Sequence, residues 1–236
     1  AERARVERDR ARLEVRKAEQ VSRLLIEVFD TSDPTREARA DQRTVREVLE
    51  RGGGKVLERL SGEPELQGAL LHVLGRVHGK LGQYQRASEL LEEAVRRRRA
   101  PGGRADLDLA ESLHELSAVL LLMDRPAAAE PAAREALATR QALLGAEHPL
   151  VAESLVQLAR VRDIRNDLRG GEVEGYYRRA LAIEGRAHGA ESIEAARVLD
   201  AMAEFLLRQS RHREAEATYR RALAIIEARL GADHLE

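Results

Sequence analysis

A pattern that occurs four times places the strongest constraint on how this chain folds. Four eight-residue segments end in Ala94, Ala136, Ala180 and Ala222, which are 42, 44 and 42 residues apart. Upstream of each lies a second segment, in which two apolar residues three positions apart precede a small residue: Leu71/Leu74/Gly75, Leu113/Leu116/Ser117, Leu155/Leu158/Ala159 and Leu199/Met202/Ala203. Each repeat is therefore predicted to form a helix, a short turn and a second helix. Because one such pair cannot bury both of its faces, neighbouring pairs must stack, and the predicted fold class is all-α.

Composition agrees with helix packing and excludes several other classes of protein. Hydrophobic residues make up 43% of the 236 residues and aromatic residues only 3%, so the core must consist of aliphatic side chains and alanine. A net charge of −1 argues against a nucleic-acid-binding protein, which usually carries a basic excess. The chain has no cysteine, which excludes disulfides and thiolate metal sites. No apolar run approaches the ~18 residues of a membrane-spanning helix.

The first repeat resembles the tetratricopeptide repeat through Leu74-Gly75, Gly82-Gln83-Tyr84, Ala87 and Ala94. The long spacing and the linker 144–152, which reads LGAEHPLVA and begins again at residues 230–234, resemble the kinesin light chain subclass. This resemblance implies a right-handed superhelix of helix-turn-helix repeats. We assign repeats to residues 62–104, 105–147, 148–189 and 190–236, the last truncated before a further repeat. The turn glycine is absent from the second and fourth repeats, which carry Asp124-Arg125-Pro126 and Ser210-Arg211-His212 instead.

Residues 1–61 are predicted to form a helical stalk and an N-terminal cap. The stalk helix covers residues 2–29, and a second helix has apolar positions from Val45 to Leu60. Together with Ser32-Asp33-Pro34 and residues 64–67, these segments resemble the region after the kinase domain and membrane helix of large bacterial serine/threonine protein kinases. That resemblance implies a location outside the bacterial inner membrane. The first residue, Ala1, and the final Leu-Glu predict a piece of a longer protein.

No motif in the sequence predicts catalysis, a metal site or a cofactor. Gly52-Gly53-Gly54-Lys55 lacks both the spacing and the hydroxyl residue of a phosphate-binding loop, so it predicts a break in the second helix. His72 and His78 are six residues apart, which does not match the spacing of a helical metal-binding pair. No serine lies in a Gly-x-Ser-x-Gly nucleophile elbow. The chain itself is therefore not expected to be an enzyme, although its parent protein is expected to be a serine/threonine protein kinase.

The resemblance to tetratricopeptide repeats implies that the first helix of each pair lines a ligand-binding groove. The candidate groove residues carried over to this sequence are His72, Arg76, Lys80, His114, Arg160, Asp200 and Glu204. Basic residues in the first repeat and acidic residues in the fourth predict a protein or peptide partner whose acidic end lies toward the first repeat. The function predicted is a non-catalytic interaction scaffold, serving as the sensor or docking region of the kinase. The alternative is a stand-alone cytoplasmic adaptor with no kinase attached.

The last helix of the chain carries more apolar residues than one packed face requires. Ile225, Ile226 and Leu230 lie in this helix and are predicted to contribute to a self-associating surface. Apolar area left in water costs about 25 cal/mol per Å2. We therefore expect a weak homodimer formed through the C-terminal end.

Overall fold

The computed structural model describes residues 53–60, 62–99, 106–165 and 171–231, and these residues form helices joined by turns, with no strand among them. This confirms the all-α fold class. The first helix in this part of the chain, α1, covers residues 53–59. The others are α2 (Pro64–Lys80), α3 (Tyr84–Arg98), α4 (Leu107–Leu122), α5 (Pro126–Leu144), α6 (Pro149–Ile164), α7 (Glu172–Ala187), α8 (Ile193–Arg208) and α9 (His212–Leu230). The predicted stalk helix, and the cap helix up to residue 52, lie outside the described residues.

The chain divides into two compact units, Ala1–Arg104 and Ala105–Glu236. In the first unit, α2 and α3 pack against each other, and Val56 and Leu60 complete an aliphatic core with residues of both helices.

The helix break predicted at residues 52–54 is wrong for Gly53 and Gly54, which are both helical. A Cβ atom at Gly53 would lie 2.9 Å from Cδ1 of Leu74. Close packing on Leu74 therefore outweighs the low helix propensity of glycine.

The small residue at the centre of the first helix pair allows close approach of two backbones. A Cβ atom on Gly75 of α2 would lie 2.7 Å from Cγ of Leu91 and 3.3 Å from the backbone oxygen of Ala87, both on α3. Real Cβ atoms do not approach other atoms this closely, so only glycine fits between the two helices as they are packed. In the first pair, the small residue of the pattern therefore lies where the two helices are in close contact.

In the second unit, three helix pairs follow one another: α4 with α5, α6 with α7, and α8 with α9. Successive pairs are joined by two kinds of contact. The second helix of one pair contacts the first helix of the next, as α5 contacts α6 and α7 contacts α8. The first helices of successive pairs also contact each other, α4 with α6 and α6 with α8. The core between the second and third pairs contains Tyr177 of α7 and Phe205 of α8, whose ring centroids are 5.6 Å apart. None of the helices in the described ranges is long and apolar enough to cross a membrane.

Three of the turns inside the pairs lie in the described ranges, and they share one geometry although their residues differ. Gly82, Asp124 and Ser210 have φ values of 73°, 55° and 59°, in the left-handed region. In each turn the next amide donates to a carbonyl oxygen five residues back, as Gln83 does to His78, Arg125 to Leu120 and Arg211 to Leu206. This is the hydrogen bond that closes a helix in a Schellman motif. Loss of the turn glycine in two repeats therefore leaves the turn unchanged in shape.

Candidate protein-binding site

The first helices of the three pairs in the second unit contact one another in order, so their accessible residues form one surface. We call the accessible residues of α4, α6 and α8 the first-helix surface. Four of the predicted groove residues lie on these helices: His114, Arg160, Asp200 and Glu204. Of the four, Asp200 is exposed and the other three are half-buried.

Arg160 of α6 is close enough to His114 of α4 for its charge to act on the histidine. Burial, together with the guanidinium groups of Arg140 and Arg160, lowers the pKa of His114 to about 4, against the opposing effect of Glu111. Its Nδ1 atom is inaccessible and has no hydrogen-bond partner within the described chain. His114 is therefore neutral at pH 7, and the positive charge here comes from arginine.

Arg160 has no hydrogen bond or ion pair with any residue in the described ranges, and its Nε atom is buried. Its charge acts on two neighbouring groups, because it lowers the pKa of His114 and opposes the rise in the pKa of Tyr177 that burial of the hydroxyl causes. An arginine side chain has five N–H donors and no acceptor. Arg160 thus offers a half-buried cation on the first-helix surface.

Arg140, which the sequence did not single out, lies beneath this surface on α5 and is 3% exposed. Its Nη1 donates to the backbone oxygen of Leu150 at 2.9 Å and to Oγ of Ser154 at 3.0 Å, and it lies 3.4 Å from a carboxylate oxygen of Glu153. These contacts fix α5 against α6. They also place a second arginine next to His114, and the carboxylates of Glu153, Glu111 and Glu115 offset part of its charge.

The acidic side of the surface is partly neutralised by pairing between helices. Nε of Arg208 donates to Oδ2 of the buried Asp163 at 2.5 Å, and Arg208 also lies 3.9 Å from Glu204. Asp163 is at the end of α6 and Arg208 at the end of α8, so this bond ties two successive first helices together. Glu204 therefore shares its cation with Asp163, whereas Asp200 lies one turn nearer the start of α8.

In the first unit, α2 carries the other three candidate groove residues. Arg76 and Lys80 are exposed, as a binding role requires. His72, in contrast, is 5% exposed, so it offers almost no surface to a partner. Their spacing of four residues places these three side chains on one side of α2. Other residues cover that side at His72, whereas at Arg76 and Lys80 it is open to solvent.

A second concave surface lies between α8 and α9. It is a groove of about 500 Å3 lined by residues of both helices, and Asp200 lies at its edge. Of the three residues assigned to self-association, Ile226 lines this groove and Leu230 is 48% exposed. Ile225 is 6% exposed and packs in the core with Ala196, Leu199 and Ala222, so it is not available to a second molecule.

Stacked helix-turn-helix pairs with a small residue at each contact define a class of all-helical repeat proteins. Family models for the tetratricopeptide repeat match residues 68–100, 108–169 and 195–236, more than half of the chain. The chain belongs to the tetratricopeptide repeat family. Members of this family generally mediate protein–protein interactions, and the fold is typically a non-catalytic scaffold.

Solved structures with the same fold include relatives of kinesin light chains. BtubC (BKLC) from P. vanneervenii is 19% identical, with a TM-score of 0.67, and the match covers 91% of this chain and 92% of that one. A putative kinesin light chain from Podosopora anserina with nearly identical repeats is 21% identical, with a TM-score of 0.68, over 88% of this chain and 96% of that one. No curated protein matches the sequence.

Proposed function

We propose that this chain is a non-catalytic scaffold that binds an acidic peptide or protein segment on the first-helix surface. The observation that carries the proposal is Arg160, a half-buried cation with no partner in the described part of the chain. A carboxylate is the group that an arginine fork binds best, with two parallel hydrogen bonds. The buried Arg140 adds positive charge next to it. Arg76 and Lys80 are the corresponding exposed cations on α2.

The polarity of the bound segment follows from the same charges. Within the second unit, Arg160 lies in the third repeat and Asp200 and Glu204 in the fourth, so the acidic end of the segment is proposed to lie toward Arg160. This proposal takes the four repeats as residues 62–104, 105–147, 148–189 and 190–236. Because the contacts are made by charged groups near the surface, binding should weaken as salt increases.

Fluorescence anisotropy with a labelled glutamate-rich peptide, and with its glutamine counterpart, tests this function. The glutamate peptide should bind more tightly, and Arg160→Gln should weaken its binding several-fold. The double change Arg76→Glu and Lys80→Glu should have a similar effect. Arg221→Gln removes an exposed arginine from α9 and serves as the matched control, with affinity unchanged. Equal binding of the two peptides would show that the surface does not select acidic segments.

The wider context proposed for this scaffold is a bacterial serine/threonine protein kinase, for which the chain would be the sensor or docking region outside the inner membrane. The resemblance of the segments between residues 21 and 67 supports this context. The alternative remains a stand-alone cytoplasmic adaptor. The full-length gene distinguishes them, because the first requires a kinase domain and a membrane helix encoded upstream of Ala1, and the second requires neither.

A further inference from the structure

The outer side of α9 presents a continuous apolar surface in the described part of the chain. Tyr219, Leu223, Ile226 and Leu230 are spaced four, three and four residues apart, so they lie on one side of the helix. We call these four residues the α9 stripe. Three of them line the groove of about 500 Å3 between α8 and α9, and the fourth, Leu230, is 48% exposed.

In the preceding pair, α6 and α7, the residue of α7 at the first position of the α9 stripe is covered by the helix that follows. Tyr177 of α7 lies 42 residues before Tyr219, and it is fully buried because Phe205 of α8 covers it. Further along α7, the positions equivalent to Ile226 and Leu230 are Glu184 and His188, which pair with each other at 2.8 Å. On α9 both positions are aliphatic. The α9 stripe is thus more apolar than its covered counterpart, and an apolar partner would stabilise it.

We propose that the α9 stripe binds the α9 stripe of a second copy of this chain, with the two helices antiparallel. In this arrangement Tyr219 faces Leu230 of the second copy and Leu223 faces Ile226, so two-fold symmetry gives four apolar layers. The spacing of the stripe is that of the core positions of a two-helix coiled coil. An isologous contact of this kind closes after two copies and exposes no second stripe.

Charge complementarity selects the antiparallel orientation and the second copy as occupant. Arg220 and Glu227 are exposed and flank the stripe on its solvent side. Antiparallel pairing places Arg220 next to Glu227 of the second copy, and symmetry repeats this contact. Parallel pairing would instead place these two residues beside Ala215 and Ala222, which offer no charge. Arg220 already forms an ion pair with Glu216 on its own helix. Both side chains are exposed, so this pair contributes little free energy and does not compete strongly with the contact to the second copy.

Sedimentation equilibrium on the full chain over a wide concentration range tests for the dimer. The chain should pass reversibly from monomer to dimer, and Ile226→Glu should raise the dimer dissociation constant about ten-fold or more. Leu143→Glu changes a leucine on α5 that is as exposed as Leu230, 48%, and should leave the constant unaltered. A monomer at every concentration, or equal effects of the two changes, would overturn the proposal. Circular dichroism confirms that each variant remains folded.

Charge exchange between two variants tests the orientation without touching the apolar core. Arg220→Glu gives a chain that is acidic at both flanking positions, and Glu227→Arg gives one that is basic at both. Each variant alone should dimerise several-fold more weakly, whereas an equimolar mixture should regain at least the original affinity as a heterodimer. If the mixture dimerises no better than its components, the antiparallel contact is refuted.

Discussion

Acid should destabilise the second unit through His114. Burial and two nearby arginines lower the pKa of this histidine from 6.5 to about 4. The unfolded chain therefore binds a proton on His114 as the pH falls below about 6.5, while the folded chain does not. Stability decreases with falling pH in this window because the unfolded state holds more protons. The contribution of His114 is fully present above pH 6.5 and is lost as the pH approaches 4.

The size of the effect follows from the difference between the two pKa values. One pKa unit corresponds to about 1.4 kcal/mol, so the loss between pH 6.5 and pH 4 amounts to about 3 kcal/mol. This is a large part of the 5–15 kcal/mol by which native domains are typically stable. Carboxylates titrate in part of the same range, so the effect of His114 has to be isolated with a variant.

The effect of His114 is isolated by measuring the free energy of unfolding in urea for the original chain and for His114→Gln, with circular dichroism at several pH values. Subtracting the two curves removes the titration of all other groups. The variant should show a constant offset at neutral and alkaline pH, which reports lost packing, and the difference should then shift by about 3 kcal/mol as the pH falls to 4. Parallel curves throughout the window, or an NMR titration midpoint of His114 near 6.5, would refute the reasoning.

Three further changes test the packing of the pairs. Gly75→Ala should destabilise the first unit by about 1–3 kcal/mol, because the new methyl group would overlap Leu91. Gly175→Ala should instead stabilise α7 by about 0.5–1 kcal/mol, because no atom lies within 4 Å of its Cβ position. Thermal unfolding measures both, and equal effects would contradict the close contact. Asp163→Ala should cost about 1–3 kcal/mol in urea unfolding because it leaves Arg208 without its buried acceptor; a change below about 0.5 kcal/mol would show that the link between α6 and α8 is weak.

The helix pairs could be predicted from the sequence because their signals are local and occur four times. Two apolar residues, a small residue and the alanine pattern repeat at nearly constant spacing, and each repeat supports the others. The break expected at Gly53 and Gly54 failed because only local propensity was considered. The deciding contact is made with Leu74, about twenty residues away, and no short window of sequence contains it.

The candidate site was harder to predict because exposure depends on neighbours. His72, Arg76 and Lys80 share a side of α2 by their spacing, but spacing alone does not show that His72 is covered. Arg140 escaped notice because it lies on a second helix, and its acceptors, at Leu150 and Ser154, belong to the next pair. In α9, counting apolar residues did not separate Ile225, which is buried in the core, from Ile226, which is only half-buried against that core and also lines the groove.

The shared turn geometry has a consequence for how the pairs open. An L-residue in the left-handed region costs about 1–2 kcal/mol, a cost that Gly82 avoids but Asp124 and Ser210 do not. The packed helices on either side hold these two turns in place, and the strain is released when a helix end unwinds. Amide hydrogens of Arg125 and Arg211 should therefore exchange with solvent faster than that of Gln83, although all three bonds have the same length of 2.9 Å. The turns at Asp124 and Ser210 should thus fray more readily than the glycine turn whose shape they share.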